Sequence, residues 1–205
     1  MDILVDKLSK RFNKHTLFKN LDFNFQSGKT YAILGANGSG KSTLLRILSG
    51  YQTFSKGKVQ FIFNSKELEI EKVYPFISIT TPSLQLLEEF TLQETLDFHF
   101  SFKPLVNKEK LKQELINANL DKHLNKQLKY FSSGMVQRTK LLLAFLSDTP
   151  LLLLDEPCTN LDETGVDWYK TLVQHYTANR TVIVASNLKQ EYDFCEVEIR
   201  ISDFA

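Results

Sequence analysis

The sequence predicts an α/β protein with a mostly parallel central sheet, and three observations lead to this prediction. The apolar residues 30–34 are followed by a glycine-rich turn and then by a segment with helical periodicity, which is the order strand, turn, helix. The apolar run 151–154 indicates a second buried strand, which ends in the carboxylates of Asp155 and Glu156. Strand and helix patterns then alternate as far as residue 201. Such alternation favours parallel strands that are connected by helices.

The first part of the chain, up to about residue 79, is rich in strand patterns and predicts an N-terminal antiparallel β subdomain. The polar stretch 13–15 separates its first two strands, and residues 64–66 connect a predicted hairpin. The predicted strands of this part are residues 3–5, 21–25, 57–63, 67–70 and 76–79.

The pattern becomes helical between about residues 91 and 146, which predicts a helical subdomain at about residues 83–148. We expect this subdomain to belong to one domain that spans residues 1–205, because this length suits a single core with a subdomain. The predicted helices are residues 92–102, 108–120, 134–146 and 163–176. The predicted later strands are residues 181–185 and, at an edge of the sheet, residues 197–201.

Charge and composition argue against several classes of protein. The 25 Lys and Arg residues nearly balance the 24 Asp and Glu residues without forming a basic block, so nucleic acid is not a favoured partner. No run approaches the roughly 18 apolar residues of a membrane span, and the first residues lack the order of a secretory signal. Cys158 and Cys195 lack metal-ligand spacing, which fits a reducing compartment. We therefore expect a cytoplasmic protein.

The glycine-rich segment 35–42 fits the phosphate-binding pattern G-x-x-x-x-G-K-[ST] in its strand–turn–helix context. Its glycines allow successive N–H groups to surround phosphate oxygens beside the N-terminus of the following helix. We expect Lys41 to reach the β- and γ-phosphates, Ser42 to place its hydroxyl on Mg²⁺, and Thr43 to add a hydroxyl near the phosphates. The candidate nucleotide-binding residues here are Gly35, Ala36, Asn37, Gly38, Ser39, Gly40, Lys41, Ser42 and Thr43.

A phosphate loop alone is compatible with kinases, GTPases and helicases. A GTPase would also carry an Asn-Lys-x-Asp motif that recognises the base, and no Asn-Lys pair in this chain is followed by Asp two residues later. In order and spacing of motifs, the whole chain resembles the nucleotide-binding subunits of ATP-binding cassette (ABC) transporters. Residues 35–42 match the Walker A loop and residues 151–156 the Walker B strand. Residues 160–162 match the D-loop, and residues 131–135 lie where this family carries its signature.

The resemblance implies ATP and Mg²⁺ as ligands and a role for each matching residue. Asp155, together with Ser42, would hold Mg²⁺, and Glu156 would act as the general base that polarises the attacking water. Phe12 resembles the A-loop aromatic that stacks on adenine, although a lone Phe beside polar residues more often belongs to a core.

The signature is expected to act across a dimer. The resemblance implies that two cassettes, in a homodimer or heterodimer, close head to tail, so that Ser132 and Gly134 of one cap the ATP on the Walker A loop of the other. Ser132 can also cap the helix that follows it, which would point the N-terminus of that helix at the γ-phosphate.

Three departures from the family pattern affect the expected activity. Ser133 replaces a signature glycine, and Met135 replaces the signature glutamine. Residues 80–83 lack the Q-loop glutamine, and assigning Gln85 to that role would require a shifted loop. Asn187 stands where the family carries its switch histidine, and an amide donates a hydrogen bond but cannot shuttle a proton. We expect slower hydrolysis than in a histidine-bearing member, with ATP binding little changed.

The resemblance implies an ATP-hydrolysing subunit that drives separate integral-membrane permease subunits from the inner face of the cell membrane. The alternative is a soluble ABC-type nucleotide switch that regulates a partner with slow or no hydrolysis. Four aromatic side chains are candidates for the groove where this family docks its permease, although a core position is favoured for any single one of them. They are Phe90, Phe98, Phe100 and Phe102.

Overall fold

Two units make up the part of the chain that the computed structural model describes, residues 1–13 and 15–204. The first unit contains residues 1–79, 150–156 and those from 179 onward, and the second contains residues 80–149 and 157–178. The strands are β1 (Asp2–Phe12), β2 (His15–Phe25), β3 (Thr30–Leu34), β4 (Lys56–Phe63), β5 (Lys66–Leu68), β6 (Ile77–Thr80), β7 (Leu151–Asp155), β8 (Thr181–Ala185) and β9 (Val197–Arg200). The helices are α1 (Lys41–Leu48), α2 (Leu92–Phe102), α3 (Lys108–Asn117), α4 (Ser133–Leu146), α5 (Glu163–Tyr176) and α6 (Lys189–Tyr192).

An antiparallel sheet with the strand order β2-β1-β4-β5 forms the N-terminal part of the first unit. Its first two strands are much longer than the predicted residues 3–5 and 21–25. The pairing of β1 with β2 shifts register between Val5 and Leu8 and again between Leu8 and Lys10, so the alternation that marks a strand is interrupted. Of the predicted polar turn 13–15, position 14 lies outside the described residues.

The second sheet of the first unit has the strand order β6-β7-β8-β3-β9, and the pairs β7-β8, β8-β3 and β3-β9 are parallel. The mostly parallel sheet is therefore confirmed, and β9 lies at its edge as predicted. Side chains of α1 share one core with both sheets, which buries Leu45, Ile3 and Leu153 completely. This core fixes β3 and α1, and with them the turn that connects the two elements.

The second unit consists of α2–α5 and the segments between them. The bounds of α2 and α5 agree with the prediction, and a capping box between Thr91 and Glu94 begins α2. Helix α3 ends at Asn117 rather than at residue 120, because Asn119 adopts a left-handed backbone conformation with φ of 55°. The N–H of Leu120 then donates to the carbonyl of Leu115 at 2.8 Å.

The buried face of α2 is formed by Leu92, Thr95 and Leu96. On the other side of the helix, Phe98 is 50% exposed and Phe102 is 58% exposed. The general preference of phenylalanine for a core position is therefore wrong for these two residues. Their rings pack edge to face with centroids 5.2 Å apart, and Phe98 makes a similar contact with Phe90.

Across the described residues, no helix combines the length and the apolar character needed to cross a membrane.

Candidate nucleotide-binding site

The phosphate loop connects the end of β3 to the start of α1, as its sequence context predicts. Gly40 precedes α1 with φ of 106°, a conformation that L side chains rarely adopt. A Cβ atom at this position would lie 3.2 Å from Leu17 and 3.3 Å from Phe18, both of which belong to β2. Glycine therefore gives the loop its turn and also its close approach to the N-terminal sheet.

The side chain of Lys41 is only 5% exposed and folds back over the loop that precedes it. Its Nζ donates to the main-chain oxygen of Gly35 at 2.6 Å and to that of Ala36 at 3.2 Å. These contacts hold a positive charge within the ring of main-chain groups that phosphate-binding loops present to their ligand.

Ser42 and Asp155 meet at the carboxyl end of β7, where the Ser42 hydroxyl donates to Asp155 Oδ1 at 2.9 Å. Asp155 is 2% exposed, and burial raises the pKa of its carboxyl group, while the hydrogen bond from Ser42 opposes this rise. A hydroxyl and a carboxylate are hard oxygen donors that fit Mg²⁺, an ion that retains several waters and needs few protein ligands. Accordingly, the described residues contain no cluster of three or more His, Cys, Asp or Glu side chains that suits a metal ion.

Glu156 follows β7 directly and has a left-handed backbone with φ of 44°. Its N–H donates to the carbonyl of Ala185 at the end of β8, at 2.9 Å. A positive φ is uncommon for a residue other than glycine, and such strained positions are concentrated at functional sites. The neighbouring strand thus fixes the direction in which the chain leaves β7, and with it the position of a partly exposed carboxylate.

Asn187 follows β8, and its Nδ2 donates to Oδ1 of Asn37 in the phosphate loop at 3.0 Å. Buried groups behind it fix this segment. Ser186 donates a short hydrogen bond to the carboxylate of Glu191, which is 1% exposed, and Ser186 Oγ accepts from the N–H of Leu188 at 2.9 Å. Glu191 was not predictable from the sequence, because a single acidic residue in a polar segment carries no recognisable signal.

Phe12 ends β1 and is 48% exposed, so it does not take the core position that a lone phenylalanine more often takes. Nζ of Lys10 lies 4.5 Å from the centroid of its ring. Lys10 was not predictable as a partner of this ring, because a lysine in an alternating strand suggests a solvent-exposed position.

In the second unit, the predicted signature residues lie at the start of α4. Ser132 Oγ accepts from the N–H of Met135 at 3.3 Å, which confirms that Ser132 caps the helix. A Cβ atom at Gly134 would lie 3.0 Å from the main-chain oxygen of Asn160, so the signature approaches the D-loop closely within this unit. Arg138 strengthens this connection through an ion pair with Asp162 at 2.6 Å.

The segment that replaces the Q-loop is held by a lysine of the same unit. Nζ of Lys140 donates to the carbonyls of Thr81 and Pro82 at 3.4 and 3.2 Å, and burial lowers the pKa of this lysine. Gln85 lines a cavity of about 330 Å³, together with Lys140 and Phe131.

The structure therefore brings one set of predicted residues together within the first unit, namely Asn37, Lys41, Ser42, Asp155, Glu156 and Asn187. The remaining loop residues Gly35, Ala36, Gly38, Ser39, Gly40 and Thr43 belong to the same unit. Ser132 and Gly134 belong to the second unit.

Comparison with known proteins identifies the family. Residues 18–159 match the family model described as ABC transporter. The ABC transporter ATP-binding protein YybJ of Bacillus subtilis is 27% identical over 203 residues, which cover 98% of this chain and 92% of the relative. The lantibiotic transport ATP-binding protein SrtF of Streptococcus pyogenes is 28% identical over 204 residues, which cover 92% of this chain and 81% of the relative.

Solved structures agree in fold. A putative ABC transporter ATP-binding protein from Pyrococcus furiosus has a TM-score of 0.82 at 24% identity, with complete coverage of both chains. The dimeric bacterial ABC transporter cassette MJ0796 has a TM-score of 0.80 at 21% identity, with 97% of this chain and 94% of the cassette covered. The chain therefore belongs to the ABC transporter family, as an ATP-binding subunit with the ABC ATPase fold.

Proposed function

We propose that this subunit binds ATP with Mg²⁺, hydrolyses the ATP in a closed dimer, and thereby drives separate membrane permease subunits from the cytoplasmic side. The proposal treats residues 1–205 as one ABC-type ATP-binding domain. The observation that supports it most is the contact of Ser42 with the buried Asp155, one residue before Glu156. This contact joins the phosphate loop to two carboxylates at the end of one strand.

The candidate residues around the phosphate loop divide the work of binding and hydrolysis. The loop N–H groups and the Lys41 ammonium bind the phosphates, and Ser42 and Asp155 would hold Mg²⁺. The ion, when bound there, would supply charge neutralisation for the phosphates. Glu156 accepts the proton of the attacking water. The Asn187 amide, which now donates to Asn37 at 3.0 Å, donates to a γ-phosphate oxygen.

The second unit completes the site of a partner cassette. We propose that Ser132 and Gly134 face the γ-phosphate of the ATP bound to the other protomer, since the capped N-terminus of α4 favours an anion. A homodimer or a heterodimer with another ABC ATPase satisfies this arrangement. The cavity beside Gln85 and the exposed rings of Phe98 and Phe102 support a permease contact on the same unit.

A nucleotide switch without efficient hydrolysis is the second candidate function. The neutral side chain of Asn187 favours it, because an amide cannot replace the proton-transfer chemistry of a histidine. Co-purification with a multi-span membrane protein would support the transporter function. A stable complex with a soluble partner that contains no membrane protein would support the switch.

ATP turnover of the wild type and of Glu156→Gln tests the proposal, with dimerisation followed by size-exclusion chromatography in ATP and Mg²⁺. We expect wild-type turnover, a loss of at least about 100-fold in the variant, and an ATP-dependent dimer that accumulates only in the variant. Retained hydrolysis in Glu156→Gln would remove this residue from the role of base. ATP-dependent dimers of both proteins without any turnover would favour the switch.

A further inference from the structure

A buried cation lies against the exposed ring at the end of β1. Lys10 is 7% exposed, and its Nζ donates to the main-chain oxygen of Thr53 at 2.6 Å. The same Nζ lies over the Phe12 ring, 4.5 Å from its centroid. Lysine is rarely buried unless its charge has partners, and here one carbonyl and one aromatic face provide them. The hydrogen bond to Thr53 therefore fixes the ammonium of Lys10 independently of its contact with the Phe12 ring.

This end of β1 is attached to the segments on both sides of α1. On one side, β2 pairs with β1, and Leu17 of β2 packs closely against Gly40, the residue immediately before the helix. On the other side, Ser55 N–H donates to the carbonyl of Ser9 at 2.9 Å, and Ser55 Oγ accepts from Arg11 N–H at 3.0 Å. The backbone that carries Phe12 is therefore joined to the same framework that carries the phosphate loop.

A half-exposed ring with a cation over one face suits a planar ligand on its other face. Aromatic surfaces stack on nucleobases without regard to hydrogen-bond pattern, and a fixed ring loses less conformational freedom on stacking than a mobile one. The cation–ring attraction supplies this restraint, and burial of Lys10 strengthens it relative to an exposed pair.

We propose that Lys10 is a positioning residue for nucleobase binding, which holds the Phe12 ring in the orientation that stacks on the purine of ATP. The inference rests on the proposed function, because it assumes that the phosphate loop beside this ring binds a nucleoside triphosphate. Lys10 then contributes to the binding of the nucleobase and not to the binding of the triphosphate.

Two ligands separate these halves, a fluorescent ATP analogue labelled on the ribose and inorganic tripolyphosphate as its competitor. The variants are Lys10→Met, Lys10→Arg, Phe12→Leu and the double variant Lys10→Met with Phe12→Leu. Lys19→Met, which removes an exposed lysine from the adjacent strand, is the matched control. Steady-state turnover adds KM and kcat for each protein.

We expect Lys10→Met to lower the affinity for the ATP analogue by about threefold to tenfold and to raise KM for ATP by a similar factor, with kcat unchanged. Lys10→Arg, which keeps the cation, should restore most of this loss, and Lys19→Met should match the wild type. In the Phe12→Leu background the Lys10→Met change should have no further effect, because the ring through which it acts is absent. Tripolyphosphate should compete equally well in every variant.

Three results would overturn the inference. The first is that Lys10→Met binds the ATP analogue with wild-type affinity. The second is that it loses as much affinity for tripolyphosphate as for the ATP analogue, which would indicate a distorted loop. Its effect could also persist in full without the Phe12 ring. A wild type that binds neither ligand would overturn the proposed function as well, and this outcome is distinct from the other three.

Discussion

Each unit of the protein buries a lysine on two main-chain carbonyls, and the two lysines differ in what the sequence reveals about them. In the first unit, Lys41 is 5% exposed and donates to Gly35 and Ala36. In the second unit, Lys140 is 7% exposed and donates to Thr81 and Pro82. The local chemistry is therefore almost the same.

The difference lies in the surrounding chain. Lys41 sits in a turn whose N–H groups and helix terminus attract an anion, so its carbonyl contacts can be exchanged for phosphate oxygens. Lys140 lies in the interior of α4, where it joins the helix to the segment that replaces the Q-loop. We infer that the first lysine serves the ligand and the second serves the stability of its unit.

Replacement of Lys41 should have the largest effect on function. Lys41→Met removes the charge that binds the phosphates, and we expect ATP affinity to fall by about 100-fold, as for the loss of two charge-assisted hydrogen bonds. The free energy of unfolding without ATP should change little, because Gly35 is half-buried and Ala36 is exposed, so that water can replace the lysine as the donor to their carbonyls. Isothermal titration calorimetry and urea denaturation measure the two quantities. Wild-type ATP affinity in this variant would remove the functional difference between the two lysines.

The matched change in the second unit should show the opposite pattern. Lys140→Met leaves the carbonyls of Thr81 and Pro82 without this donor, and we expect the free energy of unfolding to fall by about 2 kcal/mol. ATP affinity should remain within about twofold of the wild type, because the acceptors of Lys140 are the carbonyls of Thr81 and Pro82, neither of which is a candidate nucleotide-binding residue. A large loss of ATP affinity in a protein that is still folded would contradict this assignment.

Acid should destabilise the second unit through His99. Burial, and next the charge of Lys103, lower the pKa of His99 from 6.5 to about 4. Between these values the unfolded chain binds the proton more readily than the folded protein, so stability falls as the pH decreases from about 6.5 towards 4. We expect this residue to contribute about 1–2 kcal/mol of the loss at pH 4.5, after allowance for partial exposure.

His99→Gln, which keeps a donor for the hydroxyl of Ser147 now 2.9 Å away, isolates that contribution. Urea unfolding at pH 7.5 and 4.5 should show a smaller loss in this variant than in the wild type. Equal losses in both proteins would indicate that His99 is protonated in the folded state.

The smallest predicted effect concerns Asn187, which we propose takes the place of the switch histidine. Asn187→Ala removes one neutral hydrogen-bond donor, and we expect turnover to fall by about fivefold with ATP affinity nearly unchanged. Asn187→His should raise turnover above the wild type, because histidine adds a group that titrates near neutral pH. Steady-state ATPase assays compare the three proteins. Equal turnover in all of them would show that this position does not act on the γ-phosphate.

Where the signals are local, the sequence predicted the structure closely. The start of α2 follows from the Thr91–Glu94 capping box, and the start of α5 follows from the cap at Asp162. The placement of the glycine-rich loop between β3 and α1 was predictable because a phosphate-binding loop requires fixed residue types at fixed spacing.

Features that depend on tertiary structure were not predictable. The register shifts in β1 hide most of its length, and the contacts of Lys10 and Lys140 join residues 43 and 58–59 positions apart. Buried lysines and the exposed Phe98 reverse the usual preferences of their residue types, because three-dimensional partners decide their positions.

The central claim, that the two units act on ATP across a dimer, is tested most directly by mixing two inactive variants. Lys41→Met lacks a working phosphate loop, and Gly134→Asp places a negative charge in the signature, where even a Cβ atom would lie 3.0 Å from Asn160. Each variant alone should lack ATP turnover. In a mixed dimer one site combines the intact loop with the intact signature, so an equimolar mixture should recover up to roughly a quarter of the wild-type turnover. A mixture that stays inactive beside an active wild type, or an active Gly134→Asp protein, would contradict the account.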